Sequence, residues 1–187
     1  IFIPEIIGSI CYLNKNLKNL KKNLIAGYNL SCIGDEREHS CMFSKYNNSP
    51  SDDAILEAYK KLKIKKFKIY SFLERGSDER QYNFPGIDLP VSCIYRTKYG
   101  RYPEYHTSLD DFNLVTLKGI IGGFSVAKEA VKVVLDNIYP KSNVMCEPQL
   151  SKRGLYPSLS KKGKKTISKA YLSFLNYSDG KNSIKKI

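Results

Sequence analysis

Two histidines occur in the 187 residues, His39 and His106, and only the second stands among other groups that could do chemistry. Tyr105-His106-Thr107-Ser108-Leu109-Asp110-Asp111 is a short polar segment between a strand pattern and a helix pattern. An imidazole placed there can hold a metal through one ring nitrogen or move a proton near neutral pH. Asp110 can orient that ring from behind, or it can cap the helix that follows. Upstream, Gly76-Ser77-Asp78-Glu79-Arg80-Gln81-Tyr82 gathers a hydroxyl, two carboxylates and a guanidinium. Glu5 follows the apolar run Ile1-Phe2-Ile3-Pro4. Such a carboxylate can take a proton from water, or it can complement the positive end of a helix dipole. Arg80, Arg96 and Tyr105 are candidate donors to a substrate oxyanion, and Arg75 is equally placed by sequence. His39 has no supporting motif and reads as a loop or surface histidine.

These residues need elements to position them. The run at 1–4 reads as the end of a buried strand stopped by Pro4. Ile6, Ile7, Ile10, Leu13, Leu17 and Leu20 repeat at helical spacing, which predicts a helix from Ile6 to Leu20. Leu24 to Ile33 reads as a second strand, ended by Gly34-Asp35-Glu36. Asn47 to Ser51 is a turn cluster, and Asp52-Asp53 favours a helix start there, running to about Leu62. Phe67 to Phe72 and Val91 to Tyr95 read as strands. Two long loops follow them, Leu73 to Pro90 and Arg96 to Asp111, and loops of that length in a compact domain are usually functional. Leu117 to Tyr139 is mostly one helix, with Gly122-Gly123 at its first turn or a break. Strands alternating with helices predict an α/β sandwich, with a site at the carboxyl edge of the sheet. Glu5, Asp78 and His106 are expected to converge on that edge.

The composition bounds the rest. Hydrophobic residues are 42% and charged residues 26%, a globular and not a disordered balance. No uninterrupted apolar run approaches the roughly 18–20 residues of a bilayer span. Glu5 interrupts the apolar opening and no basic segment precedes it, so no signal peptide is read. The chain opens on Ile1 and not Met, and it reads as cut from something longer, or processed. Five cysteines without a C-x-x-C pair predict reduced core thiols and a cytoplasmic protein. The net charge is +13, and residues 141–187 carry eleven Lys or Arg against Glu147 and Asp179. A basic tail suits nucleic acid or other polyanions, but it also suits a Lys-rich solvated surface. Glu147 to Lys165 reads as a linker or domain entry and Ser168 to Tyr177 as a short helix. The expected division is therefore 1–146 and 147–187.

The motifs resemble those of co-catalytic zinc aminopeptidases, the bacterial leucyl-aminopeptidase and glutamate-carboxypeptidase type. That family shows Ser-Asp-His-x-x-Phe, a Gly-Ile-Pro segment, a strand, then Tyr-His-Thr-x-x-Asp, whose histidine binds zinc. The resemblance makes His106 a metal ligand and has Ser77 and Asp78 shape the active-site loop, with Glu79 standing where the family has His. Pro4-Glu5-Ile6-Ile7-Gly8-Ser9 resembles the family's Glu-Glu-x-Gly segment, which gives Glu5 the role of general base. Ile6 and Ser31 stand where the family has a zinc-binding Glu and Asp, so two ligands of a two-metal site are missing. A narrower group fits the departures. Phe2-Ile3-Pro4-Glu5-Ile6-Ile7-Gly8-Ser9-Ile10, Gly76 to Tyr82, Pro103-Glu104-Tyr105-His106-Thr107-Ser108 and Glu147 to Pro157 resemble the aminopeptidase-like domain of unknown function encoded near bacterial polysaccharide-biosynthesis genes. In that group the domain is followed by a small winged-helix domain, and an upstream His and Asp would complete the metal site.

The resemblance implies a three-layer α/β sandwich of the zinc-exopeptidase type, with a mixed central sheet, plus the start of a winged-helix-like domain. It implies a zinc-dependent hydrolase of a peptide or of an amide-bearing small substrate. One zinc is expected, with Glu5 as base, His106 as ligand, Asp78, Arg80, Arg96 and Tyr105 on the substrate, and Asp110 behind the ligand. The alternatives are a non-catalytic peptidase-fold binding module and a basic nucleic-acid-binding protein.

Overall fold

The computed structural model describes residues 2–155, 165–184 and 186–187. The chain divides into two compact units, Ile1–Val134 and Leu135–Ile187.

In the first unit the sheet is organised by β4 (Val91–Tyr95), whose five residues are all buried. Val-Ser-Cys-Ile-Tyr has no polar face to offer solvent, which is the pattern of a strand covered on both sides. β4 runs parallel to β1 (Gly27–Leu30) and antiparallel to β2 (Ser40–Met42), and β2 runs parallel to β3 (Lys68–Tyr70). The sheet order is β1-β4-β2-β3, a mixed sheet.

Alternation sorts the strand residues into two cores. Cys41 and Ile94, with Tyr28 at its margin, pack with Ala54, Ile55, Ala58 and Tyr59 of α2 (Pro50–Lys61) and Val126, Ala130 and Val133 of α4 (Leu117–Asp136). On the other face Met42, Cys93 and Tyr95 meet Tyr70, Phe72 and Tyr99. Val91 on that face packs with Leu13, Leu17 and Leu20 of α1 (Ile7–Asn23) and with Tyr82 of the one-turn helix α3 (Glu79–Tyr82). The result is a three-layer α/β sandwich.

Two local devices hold the layers in register. Ser49 and Asp52 form a reciprocal capping box at the start of α2, with Pro50 in the first turn. The Asp52 carboxylate, 2% exposed, also accepts from the Ser44 amide at 2.7 Å and from the hydroxyls of Ser44 and Ser92, both at 2.6 Å. One buried acid thus ties the exit of β2, the start of α2 and the centre of β4. The second device is close approach. A Cβ on Gly119 would lie 1.8 Å from the Gly34 carbonyl oxygen, and one on Gly123 would lie 2.7 Å from Ile33 Cβ. Gly122-Gly123 therefore neither breaks nor opens α4. Gly119→Ala is expected to destabilise the protein by roughly 3 kcal/mol, at the upper end for overpacking, because the obstacle is backbone. Urea unfolding should show a lower midpoint, and an unchanged midpoint would mean that α4 does not need this contact.

Several sequence expectations change. Residues 2–4 form no strand and Phe2 is fully exposed, since no described strand runs beside them to pair their backbone groups. The second strand is Gly27–Leu30 only. The loop expected at 73–90 contains α3. The strand β2 and its flanks were not expected at all. Its three residues, Ser-Cys-Met, are too few to show a period and include no β-branched side chain.

In the second unit, a 3₁₀ turn at Leu150–Arg153 ends at Gly154 in the left-handed region, and Leu150 is buried. The helix α5 (Lys165–Tyr177) is followed by a return in which Lys141 and Asp179 form an antiparallel bridge. The Gly180 and Ile184 amides donate to the carbonyls of Pro140 and Ile138, both at 2.9 Å. Of the linker expected from Glu147 to Lys165, residues 147–155 include the 3₁₀ turn, Lys165 opens α5, and residues 156–164 lie outside the described residues. Among the described residues no helix is long and apolar enough to cross a membrane.

Candidate active site

Two segments 72 positions apart meet at Glu5. The Ser77 hydroxyl donates to Glu5 Oε1 at 2.5 Å, and the Ile6 amide donates to Asp78 Oδ1 at 2.6 Å. Both acceptors are carboxylate oxygens, which makes these bonds charge-assisted and short. The crossing is anchored by backbone strain. Ile6 has φ 61° and ψ −67°, and the Ile7 amide donates to the Glu5 carbonyl at 2.7 Å. That is a γ-turn with positive φ, a rare and strained form, here centred on a β-branched residue. Such strain costs on the order of 1–3 kcal/mol and tends to collect at functional sites. Glu5 itself is exposed, so its carboxylate faces solvent from a turn that the Asp78 bond fixes.

The residue that shapes this corner is Glu79, which stands where the resembled family has His. It is 1% exposed. Its Oε1 accepts from the Gly76 amide at 2.7 Å, the Ser77 amide at 2.9 Å and the Tyr99 hydroxyl at 3.0 Å. Its Oε2 accepts from Asn29 Nδ2 at 3.2 Å, with Cys93 Sγ at 3.6 Å. Burial alone would raise its pKa, but the Ser77 and Gly76 amides, with the Tyr99 hydroxyl behind them, outweigh it and hold the acid below its ordinary value. Their own burial first, and then this buried charge, pushes Tyr99 and Cys93 up. The available sequence signal was an acid at the first position of a short helix after Gly-Ser-Asp, which by itself reads as a dipole partner.

A second arm leads from Tyr99 to His106. The Tyr99 and Tyr105 rings lie 6.2 Å apart, and Tyr105 stacks on His106 with centroids 3.9 Å apart. Tyr102 meets Tyr105 edge-on at 5.6 Å. Its hydroxyl lies 3.5 Å from Cys32 Sγ, just past the end of β1, and donates to Asp110 Oδ2 at 3.2 Å. Asp110 thus bonds a tyrosine hydroxyl, and α4 takes its cap bond from Thr116, whose Oγ1 accepts from the Gly119 amide at 3.0 Å. Tyr105 is held above the usual tyrosine value by burial first, with Cys32, Glu5 and Asp110 adding, so its hydroxyl lies in the field of Glu5. His106 is exposed and has φ 59°, and Cys32 has φ 47°. Ile6, Cys32 and His106 make up half of the six non-glycine residues with positive φ among the described residues.

Arg80 and Arg96 each donate to a backbone carbonyl. Arg80 is exposed, and its Nε donates to the Ser77 carbonyl at 3.2 Å. Arg96 is buried, and its Nε donates to the Asp35 carbonyl at 2.8 Å. The Arg96 guanidinium also bonds the His39 ring. Burial first, then that cation, lowers the His39 pKa to about 4. His39 is half-buried at the entry to β2 and edge-on to Tyr59 at 6.2 Å, so it is a core-facing residue and not a surface one. Gly122 leaves room for this pair, since a Cβ there would lie 2.6 Å from the Arg96 guanidinium.

Metal donors are sparse. Among the described residues no three His, Cys, Asp or Glu side chains gather closely enough to hold an ion. Ile6 supplies no donor, and the Ser31 hydroxyl sits 3.6 Å from Cys32 Sγ. These residues do not by themselves make a zinc site.

Against known proteins, the profile of a domain of unknown function, DUF4910, matches residues 1–137. The chain belongs to the DUF4910 family. A winged helix-turn-helix profile matches residues 137–187. The DUF4910 chain is 35% identical over 189 residues to a protein of Clostridium acetobutylicum provisionally named for polysaccharide biosynthesis, with an aminopeptidase-like domain. The match covers 98% of the chain and 42% of that relative, so the chain spans about two fifths of its length. It superposes with a TM-score of 0.68, at 32% identity, on a crystal structure from Clostridium acetobutylicum provisionally assigned as a peptidase, covering 96% of this chain and 39% of that one. BSAP, a zinc aminopeptidase from Bacillus subtilis, is 18% identical with a TM-score of 0.56 over 68% of this chain and 32% of that one, and shares the fold. The fold is therefore that of aminopeptidase-like proteins, with a winged-helix region after it.

Proposed function

We propose that the protein is an aminopeptidase-like hydrolase that cleaves a peptide bond, or an amide on a modified sugar, in a small substrate. The observation that carries this reading is the Glu5 corner: an exposed carboxylate, on a strained turn, held by Ser77 and steadied through Ile6 by Asp78. Glu5 would take a proton from the attacking water and return it to the leaving amine. The Ser77 bond limits the carboxylate to one rotamer and leaves Oε2 for that proton. Tyr105, protonated at neutral pH and within the field of Glu5, would donate to the oxyanion that forms. The sugar amide enters because the Clostridium acetobutylicum relative is named for polysaccharide biosynthesis. The five free thiols suit a reducing cytoplasm.

We also assign zinc to the full-length protein, since BSAP is a zinc aminopeptidase of the same fold. This chain would contribute His106, and the remaining donors would come from outside the described residues. Elemental analysis of purified full-length protein is expected to give about one zinc per chain, because Ile6 and Ser31 leave a second site without its carboxylates. His106→Ala should lose that zinc and also the release of amine from aminoacyl anilides. Two equivalents in the parent, or an unchanged content in His106→Ala, would overturn the assignment.

A further inference from the structure

Beside the Glu5 corner lies a groove of about 470 Å³ whose polar lining includes Arg75, Arg80, Lys45, Ser71 and Asn47. We propose that this groove holds an anionic group of the substrate, a carboxylate or a phosphate. The proposal deepens the hydrolase reading and rests on it for the substrate's reaction, though not for the anion.

Of the other guanidinium groups in the first unit, Arg37 pairs with Glu104, Arg101 pairs with Glu74, and Arg96 is bonded to Asp35 and His39. Arg75 and Arg80 form no salt bridge among the described residues. Arg75 reaches only the Phe72 carbonyl, at 3.4 Å, and lies over the Phe72 ring at 5.3 Å. Arg80 spends its Nε on the Ser77 carbonyl, leaving its terminal nitrogens available. The acids next to them in sequence are engaged: Glu74 by Arg101, and Asp78 Oδ1 by the Ile6 amide. Asp88 is held by Lys45 at 3.1 Å and by the Gly86 amide at 2.8 Å.

Two uncompensated guanidinium groups lining one groove repel each other, and a shared oxyanion removes that repulsion. The planar fork of arginine matches carboxylate and phosphate with paired hydrogen bonds. Phe72 and Phe84, also in the lining, offer apolar surface to the body of a ligand. Ser77 connects the groove to the candidate base, because its hydroxyl holds Glu5 and its carbonyl holds Arg80. A substrate with its anion at Arg80 would thus have its scissile amide within a residue's reach of Glu5.

The test uses the full-length protein and calorimetric titration with inorganic phosphate and, separately, with succinate. Saturable binding is expected for at least one. Arg75→Ala/Arg80→Ala should weaken it about tenfold or more, the effect of losing charged hydrogen bonds. Arg153→Ala, an exposed residue of the second unit, removes the same kind of charge and should change nothing. Tighter phosphate binding would point to a phosphate-bearing substrate, and tighter succinate binding to a carboxylate. Equal affinities in parent and double variant, or no saturation with either anion, would overturn the groove. The link to hydrolysis is tested with glutamyl and glutaminyl anilides, where Arg80→Ala should raise KM for the glutamyl substrate alone. Cleavage of neither anilide, with anion binding still dependent on the arginines, would sink the hydrolase reading and leave the groove standing. An Arg80→Ala enzyme whose KM moves for neither substrate would overturn the substrate role.

Discussion

Glu79→Ala is expected to lower stability by about 4 kcal/mol, the range seen when one member of a buried polar network is removed. The reason is the number of donors that it would leave behind. The Gly76 and Ser77 amides, the Tyr99 hydroxyl and Asn29 Nδ2 all point at this one buried carboxylate. Without it they remain inside the protein with no acceptor, or the 76–82 segment opens to let water in. A fall of about 10 °C in melting temperature is the expected readout. Glu79→Gln separates charge from shape. The amide keeps one oxygen for the Gly76 and Ser77 amides, but its NH₂ would face the Asn29 donor. The sign of the pH effect follows from the lowered pKa. Stability from a depressed acid is fully present above the ordinary glutamate value of 4.5 and is lost as pH falls through the lower folded value. The parent should therefore lose stability below about pH 4.5 more steeply than Glu79→Gln. Urea midpoints measured from pH 7 down to pH 3 check this, and parallel curves for the two proteins would show that the carboxylate charge is not what the corner uses.

What the sequence disclosed, and what it hid, divides along physical lines. Elements with their own period were legible. The apolar stripe of Leu13, Leu17 and Leu20 marks α1, and Val91 to Tyr95 is a strand at the positions expected. Motif residues could be nominated, because Ser77, Asp78 and His106 lie in strings with chemical character. Partnership across long separations could not be read. Nothing in the local sequence says that Ser77 meets Glu5, or that Arg96 crosses to Asp35 and His39. Glu79 was missed for the same reason, since its role depends on Asn29 and Tyr99, 50 positions before it and 20 after it. The strained turn at Ile6 runs against local preference altogether. A β-branched residue is a poor choice for positive φ, and only the surrounding bonds hold it there.

That strained turn leads to the second large effect. Glu5→Gln in the full-length protein is expected to reduce amide turnover by about a thousandfold, within the range for losing a general base, with little change in stability because the side chain is exposed. Ser77→Ala should reduce turnover by roughly tenfold, the worth of one charge-assisted hydrogen bond. Its effect should fall on kcat, because Ser77 positions the base and leaves the anion groove intact. The two residues act as one unit if the Ser77 hydroxyl works through Glu5, so their losses should not add. The Glu5→Gln/Ser77→Ala enzyme should be about as slow as Glu5→Gln alone. Single-turnover rates of the four proteins, with parallel melting curves, form the cycle. If the double variant is slower than Glu5→Gln by the full Ser77→Ala factor, Ser77 contributes by a route that does not pass through Glu5, and the positioning argument fails. If Glu5→Gln keeps most of the parent rate, the base lies elsewhere, and the strained corner must be explained by binding rather than by proton transfer.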